Sequence, residues 1–383
     1  MNKIRVLFFN HEQYNNYENE PGNLEVRLPM LASGLIKEHN DFVFQRIKKE
    51  IGLGGMIKAA TKAVLDFKPD LIVYITGWSK DDIPGQLING FEEVGIKVLT
   101  IAWDTYPGPT PLNFRQNNLF KSTSYFCEAC SFISYARFRF WREQLNPEKG
   151  VLYLSGNNIL NNQFKDLSIK KDIDVALIGS LYMARHRLLK FLKKNLLPHG
   201  IKVSHFGGYF DESIGLPADS SAHTLNRISS KDYIKTINRS KIVLCPGGSE
   251  GQWAVRGKIF EIMSCGSFCL AEDNFDIKQT IPQGKLITYK NFDECLQQIL
   301  FFLKHEKERE MLAKDSRDWY LNTYDSATFW RDFLFKMSIG DNNIKNTPFV
   351  ENNYQIIKKN ILKHFEGKTI TPKNIVSFSV KHP

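Results

Sequence analysis

SKIVLCPGGSEGQWAVRGKIFEIMSCGSFCLAEDN, residues 240–274, is the stretch whose reading decides the fold. It reads as a strand over Lys241–Cys245, a glycine-rich turn, a helix from about Val255 to Ser264, Gly266 as the stop, and a short strand over Ser267–Ala271. That is one α/β unit of a mostly parallel sheet, with its turn at the carboxyl end of a strand, where such sheets bind ligands. Gly247, Gly248 and Gly251 let the chain turn tightly and, with Ser249, leave backbone amides to face an anion at the helix start. Arg256 and Lys258 fall in the first helical turn, where cations oppose the dipole. Two readings follow: an anion bound close by, or a solvent-facing basic pair on a loop.

Working outward, 383 residues fit two domains of about 150 to 200 residues each. Apolar residues make up 42% and charged residues 24%, as in a soluble globular protein, and no run approaches the roughly 18 apolar residues of a membrane span. The opening MNKIRVLFFNHEQ reads as a first strand and not as a secretory signal. Six scattered cysteines, including a lone Cys127-x-x-Cys130, read as thiols of a reducing compartment, so a cytoplasmic protein is expected. The net charge of +10 favours anionic partners without choosing among a phosphorylated small molecule, an acidic lipid surface and nucleic acid.

Before the central stretch, strands and helices alternate. Ile4–Phe9, Phe42–Ile47, Asp70–Thr76 and Val98–Trp103 read as strands; Leu24–Leu35, Met56–Phe67 and Ile83–Val94 read as helices. The long loop after the first strand begins at Asn10 and His11 and lies at the sheet's ligand-binding edge; Asp104 ends another strand there, as a polar site group or as a turn cap before Pro107. Residues 134–146, SYARFRFWREQLN, put Tyr135, Phe138 and Trp141 on one helical face and interleave Arg137, Arg139 and Arg142. Such a helix either lies in an anionic membrane interface through residues 135–142 or packs its aromatics inward and snorkels its arginines. A second α/β repeat starts at Asp174–Ile178. Gly179 follows that strand, Arg185 and Arg187 stand in the next helix's first turn, and Gly207 ends the following strand. The expected domains are 1–165, 166–325, and 326–383 as a helix returning to the first domain plus a basic tail.

The chain has no GxGxxG, GxxxxGK[ST] or HExxH motif and its nine histidines are scattered, so redox, ATP-hydrolysing and metal readings lose ground and no metal ligands are assigned. Glu261 shares the side of the central helix that looks back to the turn, where a carboxylate can accept from ribose hydroxyls; the other reading is a salt bridge to Lys258 or Arg256.

FGG (206–208), INRSKIVLCP (237–246), RGKIFEIMSCGSFCLAED (256–273) and REMLAKDSRDWYLNTYDSATFWRDFL (309–334) resemble the carboxyl-terminal domain of GT-B glycosyltransferases of the CgeB or YkvP-like group, relatives of the "glycosyl transferases group 1" family. GSLYMAR (179–185) and PGNLEVRLPMLASGL (21–35) are similar to other parts of that family. The resemblance implies two Rossmann-like α/β/α domains facing across a cleft, with a nucleoside-diphosphate sugar, UDP- or GDP-linked, in the second and the acceptor near the first. The acceptor class is a glycan, a lipid-linked glycan or a protein, and no cofactor is required. Glu261 matches the second glutamate of the family's Glu-x7-Glu motif, whereas the first is replaced by Trp253. Arg185 or Arg187, with Arg256 or Lys258, resembles the basic set that neutralises the departing diphosphate. Transfer with retention and without metal is expected; an inverting enzyme needs a base, for which His11, Glu25 and Asp104 are candidates. A catalytically lapsed sugar-binding protein is the main alternative, and a nucleic-acid-binding protein the weaker one because no such module is present.

Overall fold

The computed structural model describes residues 3–9, 42–47, 52–76, 85–102, 124–129, 131–145, 150–154, 156, 164–179, 181, 183–207, 228, 230–247, 254–341, 345–371 and 375. The chain divides into two compact units, residues 1–158 with 326–383, and residues 159–325.

Unit 1 is built on a six-stranded parallel sheet of β1 (Ile4–Phe9), β2 (Phe42–Ile47), β3 (Leu71–Thr76), β4 (Lys97–Ala102), β5 (Tyr125–Glu128) and β6 (Val151–Tyr153), in the order β2-β1-β3-β4-β5-β6. Its described helices include α1 (Gly52–Phe67), α2 (Gly85–Glu93) and α3 (Phe132–Leu145). Ala60, Val64 and Phe67 of α1 and Ile88 and Phe91 of α2 close over Leu7, Ile72, Tyr74 and Val98 of the sheet. Both faces of such a sheet must be covered, which is why its strands read as unbroken apolar runs.

Unit 2 repeats the plan with five parallel strands, β7 (Ile173–Ile178), β8 (Val203–Phe206), β9 (Ser240–Cys245), β10 (Phe268–Glu272) and β11 (Ile287–Tyr289), ordered β11-β10-β9-β7-β8. Its described α-helices are α4 (Met183–Leu196), α5 (Ser230–Arg239), α6 (Gly257–Ser264), α7 (Phe275–Thr280), α8 (Phe292–Lys304) and α9 (Glu306–Thr323). Side-chain alternation divides its core. Val175, Leu177, Ile242, Leu244, Phe268 and Leu270 pack with Leu188, Leu192, Ile299 and Phe302 on one face. Ala176, Ile178, Val243, Cys245, Cys269 and Ala271 meet Ile237, Ile259, Phe260 and Tyr320 on the other. The chain passes from β7 to β8 on one side and then starts β9 on the other, so the strand order reverses between β7 and β9; this is the crevice where open α/β sheets take ligands.

Two further helices, α10 (Ser326–Ser338) and α11 (Pro348–His364), belong to unit 1. Thr347 caps α11 through Val350 N–H, and Pro348 follows at its first position. Asn346 accepts from the amide of Tyr153 on β6 at 2.8 Å. Arg139 of α3 donates to both carboxylate oxygens of Glu351 at 2.8 Å, and Lys358 donates to Glu143 at 2.8 Å.

This corrects the membrane expectation for residues 135–142. Tyr135, Phe138 and Phe140 are buried, and Tyr135 stacks obliquely with Tyr153 and Tyr354 at 5.5 and 5.8 Å. Arg137 and Arg142 are buried as well, so the aromatic face is spent on unit 1's own core. Among the described residues no helix is long and apolar enough to cross a membrane. Cys127 is buried and free, while Cys130 lies outside the described residues.

Candidate functional site

The described parts of the central stretch fold close to their reading, as strand β9, helix α6 and strand β10, but the helix starts later than expected; residues 248–253 of the expected glycine-rich turn lie outside the described residues. Arg256 is extended, with φ −72° and ψ 129°, and stands as the N-cap; Gly257 is the first helical residue and Lys258 the second. At the other end Gly266, at φ +67°, receives the reversal: its amide donates to Met263 at 2.9 Å and the amide of Ser267 to Ile262 at 3.2 Å.

Two glycines shape the rim beside α6. Gly179 ends β7 at φ +120° and Gly207 ends β8 at φ +142°. The amide of Gly179 donates to Phe206 at 2.7 Å, and a Cβ on Gly207 would meet the Gly179 carbonyl oxygen at 2.5 Å. Only glycine fits both the conformation and the contact. Nε2 of His205 donates to the same carbonyl at 2.8 Å, and burial, the larger influence, pulls the imidazole pKa down.

The cations gather over this rim. Lys258 donates its ammonium to the carbonyl of Ile178 at the end of β7. Arg185, in the first turn of α4, donates Nε to the carbonyl of Gly247 just past β9 at 3.1 Å. A Cβ on Gly179 would stand 2.8 Å from Lys258 Nζ and 3.8 Å from Arg185 Nη1. The strand-order reversal is therefore flanked by two positive side chains held on backbone carbonyls. Desolvation first, and then the Arg185 charge, lower Lys258 to about 8; Arg256 adds to the effect while Cys245 and Glu261 oppose it. Arg187 is exposed and stands two residues from Arg185, about 200° around the helix.

Glu261 lies one turn beyond Lys258, is 2% exposed, and accepts a hydrogen bond from the Tyr233 hydroxyl of α5. Lys258 Nζ is 5.9 Å from the centroid of the Tyr233 ring. Gly247 departs from its expected part as an anion-facing amide. Its N–H donates to Glu272 at 2.7 Å, because Ala271 pairs in register with Cys245 and so brings the next residue of β10 against the turn.

The structure thus brings together Gly179, Arg185, Gly207, Gly247, Arg256, Lys258 and Glu261. His11, Glu25, Asp104, Gly248, Ser249 and Trp253 lie outside the described residues. Glu272, Tyr233 and His205 join the site without having been singled out from the sequence; Glu272 alone carried a signal, as a polar residue at a strand's carboxyl end. Residues 247–251 also spell G-x-S-x-G, but α6 begins eight residues after Ser249, unlike an elbow whose serine sits on the strand-to-helix turn. Asp172 and Asp174 stand at the amino end of β7 and pair with Arg239 and Lys241. Among the described residues no group of three or more His, Cys, Asp or Glu is placed to hold a metal ion.

Residues 185–334 match the family described as glycosyl transferase-like. Comparison with curated protein sequences finds no match. Among solved structures, sucrose-phosphate synthase from Thermosynechococcus elongatus superposes with a TM-score of 0.59 at 10% identity, over 88% of this chain and 98% of that one. HepE of Anabaena, in complex with UDP and glucose, gives 0.57 at 14% identity, over 88% and 99%. UDP-GlcNAc 2-epimerase from Neisseria meningitidis, bound to UDP-GlcNAc, gives 0.53 at 14%, over 94% and 100%. The structural matches establish the GT-B type of fold, with two Rossmann-like α/β domains, and the family match marks residues 185–334 as glycosyl transferase-like; neither reaches the narrower CgeB or YkvP-like group.

Proposed function

We propose that this chain, a GT-B protein whose residues 185–334 are glycosyl transferase-like, transfers a sugar from a nucleoside-diphosphate sugar to an acceptor, with the donor's nucleotide seated in unit 2. The observation that carries the reading is the placement of Lys258 and Arg185 on the carbonyls of Ile178 and Gly247, on either side of the strand-order reversal. A diphosphate there exchanges two neutral carbonyl acceptors for charged oxygens, and its negative charge grows as the glycosidic bond breaks. Arg185, Lys258 and the N-cap Arg256 are the groups that stabilise that charge. Glu261, one helical turn on, receives the ribose hydroxyls.

The leaving group's charge is met by side chains, so we carry a metal-independent transfer with retention, in which a diphosphate oxygen takes the acceptor proton and no protein nucleophile forms a bond. The acceptor is a glycan, a lipid-linked glycan or a protein. UDP is the first donor nucleotide to try, because HepE and the Neisseria epimerase are seen with it or its sugar conjugate, and GDP the second.

Calorimetric titration tests the seat. UDP or GDP binds in the micromolar range, and Glu261→Ala weakens it by at least about a hundredfold, the loss of two charge-assisted hydrogen bonds. Binding no tighter than millimolar for every nucleoside diphosphate overturns the proposal. Proton NMR of the first sugar released from an α-linked donor reads the stereochemistry, and a β product ends the retention reading. Trp253, at the place of the family's first glutamate, favours a second reading, nucleotide binding without transfer. Tight UDP binding with neither transfer nor donor hydrolysis supports that reading, and conversion of the bound sugar to its epimer marks an epimerase instead.

A further inference from the structure

We propose that Tyr233 is a positioning residue that fixes the carboxylate of Glu261 for the ribose of the bound nucleotide. The inference rests on the reading of Glu261 above and deepens it.

Tyr233 stands in the first turn of α5, its ring set edge-on against Phe164 with centroids 6.1 Å apart. Its hydroxyl donates to Oε2 of Glu261, and its face looks towards Lys258 at 5.9 Å. One side chain from a different helix therefore touches the carboxylate of α6 and flanks the cation three residues before it. A carboxylate accepts at both oxygens, so a bond to Oε2 sets the plane of the group and with it the direction of Oε1. Glutamate otherwise loses rotamer freedom on being fixed, and here that cost is met before any ligand arrives.

Filling a core does not call for this pair. Glu261 is 2% exposed, and replacing a buried hydroxyl–carboxylate pair by apolar groups of similar shape is often neutral or stabilising. Phe260 and Ile262 on either side show that apolar side chains fit this helix.

The test is calorimetric titration of the full chain and of Tyr233→Phe, which keeps the ring against Phe164, with UDP, 2′-deoxy-UDP and inorganic pyrophosphate. The guanine pair is used if GDP is the nucleotide that binds. The expected result is pyrophosphate affinity within about twofold of wild type, and a preference for the ribonucleotide over its deoxy analogue reduced about tenfold, one hydrogen bond's worth. If Tyr233→Phe keeps the full preference while Glu261→Ala loses it, the Tyr233 proposal is overturned and the ribose reading stands. If Glu261→Ala keeps the preference as well, the reading of Glu261 itself fails. Equal losses for pyrophosphate and nucleotide in Tyr233→Phe give the tyrosine a general structural role and also overturn the proposal.

Discussion

In unit 1, Arg139 lies over the ring of Tyr354, 4.0 Å from its centroid, and meets the carboxylates of Glu351 and Glu143 at 2.8 and 3.0 Å. In unit 2, Lys258 looks towards the ring of Tyr233 and donates to the carbonyl of Ile178, with Arg185 close beside it. Both are cations set among aromatic rings, and in the sequence both admit a reading as an anion site. Partnership separates them. A carboxylate cancels the charge it binds, so the unit 1 cation serves the fold; a carbonyl satisfies the donor but leaves the net charge available to a ligand.

Breaking the two arrangements in turn sharpens this contrast. The largest effect is expected for Lys258→Met, which keeps the aliphatic stem. Calorimetry should show nucleoside diphosphate and pyrophosphate binding about 10- to 150-fold weaker, the range of one charge-assisted bond. Thermal unfolding should move the other way, upward by about 3 °C, because a desolvated ammonium next to Arg185 is lost. A fall in both would place Lys258 with the structural cations and break the comparison.

Next in size is Glu351→Ala. It leaves a half-buried Arg139 without its α11 carboxylate and should destabilise unit 1 by about 2 kcal/mol in a denaturant titration, with nucleotide affinity unchanged.

The smallest effect is in the pH profile. Lys258 at about 8 is protonated below that value and loses its charge above it, and a bound diphosphate favours the protonated form. Diphosphate affinity should hold steady below pH 8 and fall several-fold by pH 9, and Lys258→Met should flatten that fall. The group's contribution to folding has the opposite slope. Its folded pKa lies below the unfolded value of 10.5, so between pH 8 and 10.5 the unfolded chain holds more protons and stability rises with pH.

Much of the fold was legible because parallel strands buried on both faces read as apolar runs, and the turn at Gly247 with its oddly placed cations marked the site. What stayed hidden depends on contacts between segments far apart in the chain. Tyr233 is 28 residues from Glu261, and its role needs α5 docked beside α6. Glu272 reaches Gly247 only through the register of β10 on β9. The arginines of α3 left two readings open for the same reason. Their neutralising partner Glu351 lies 212 residues after Arg139, and local periodicity cannot distinguish an aromatic face turned to lipid from one turned to a helix supplied by the far end of the chain.

That distant return also sets an order of events during synthesis. Unit 2 is one continuous segment and holds all its described strands once residue 325 has been made. Unit 1 begins first, yet the amide of Tyr153 gains Asn346 and Arg139 gains Glu351 only after some two hundred further residues have left the ribosome. The nascent chain thus carries β6 without Asn346 and Arg139 without Glu351 for some two hundred residues of synthesis, and the segment of the later unit is complete before that of the earlier one.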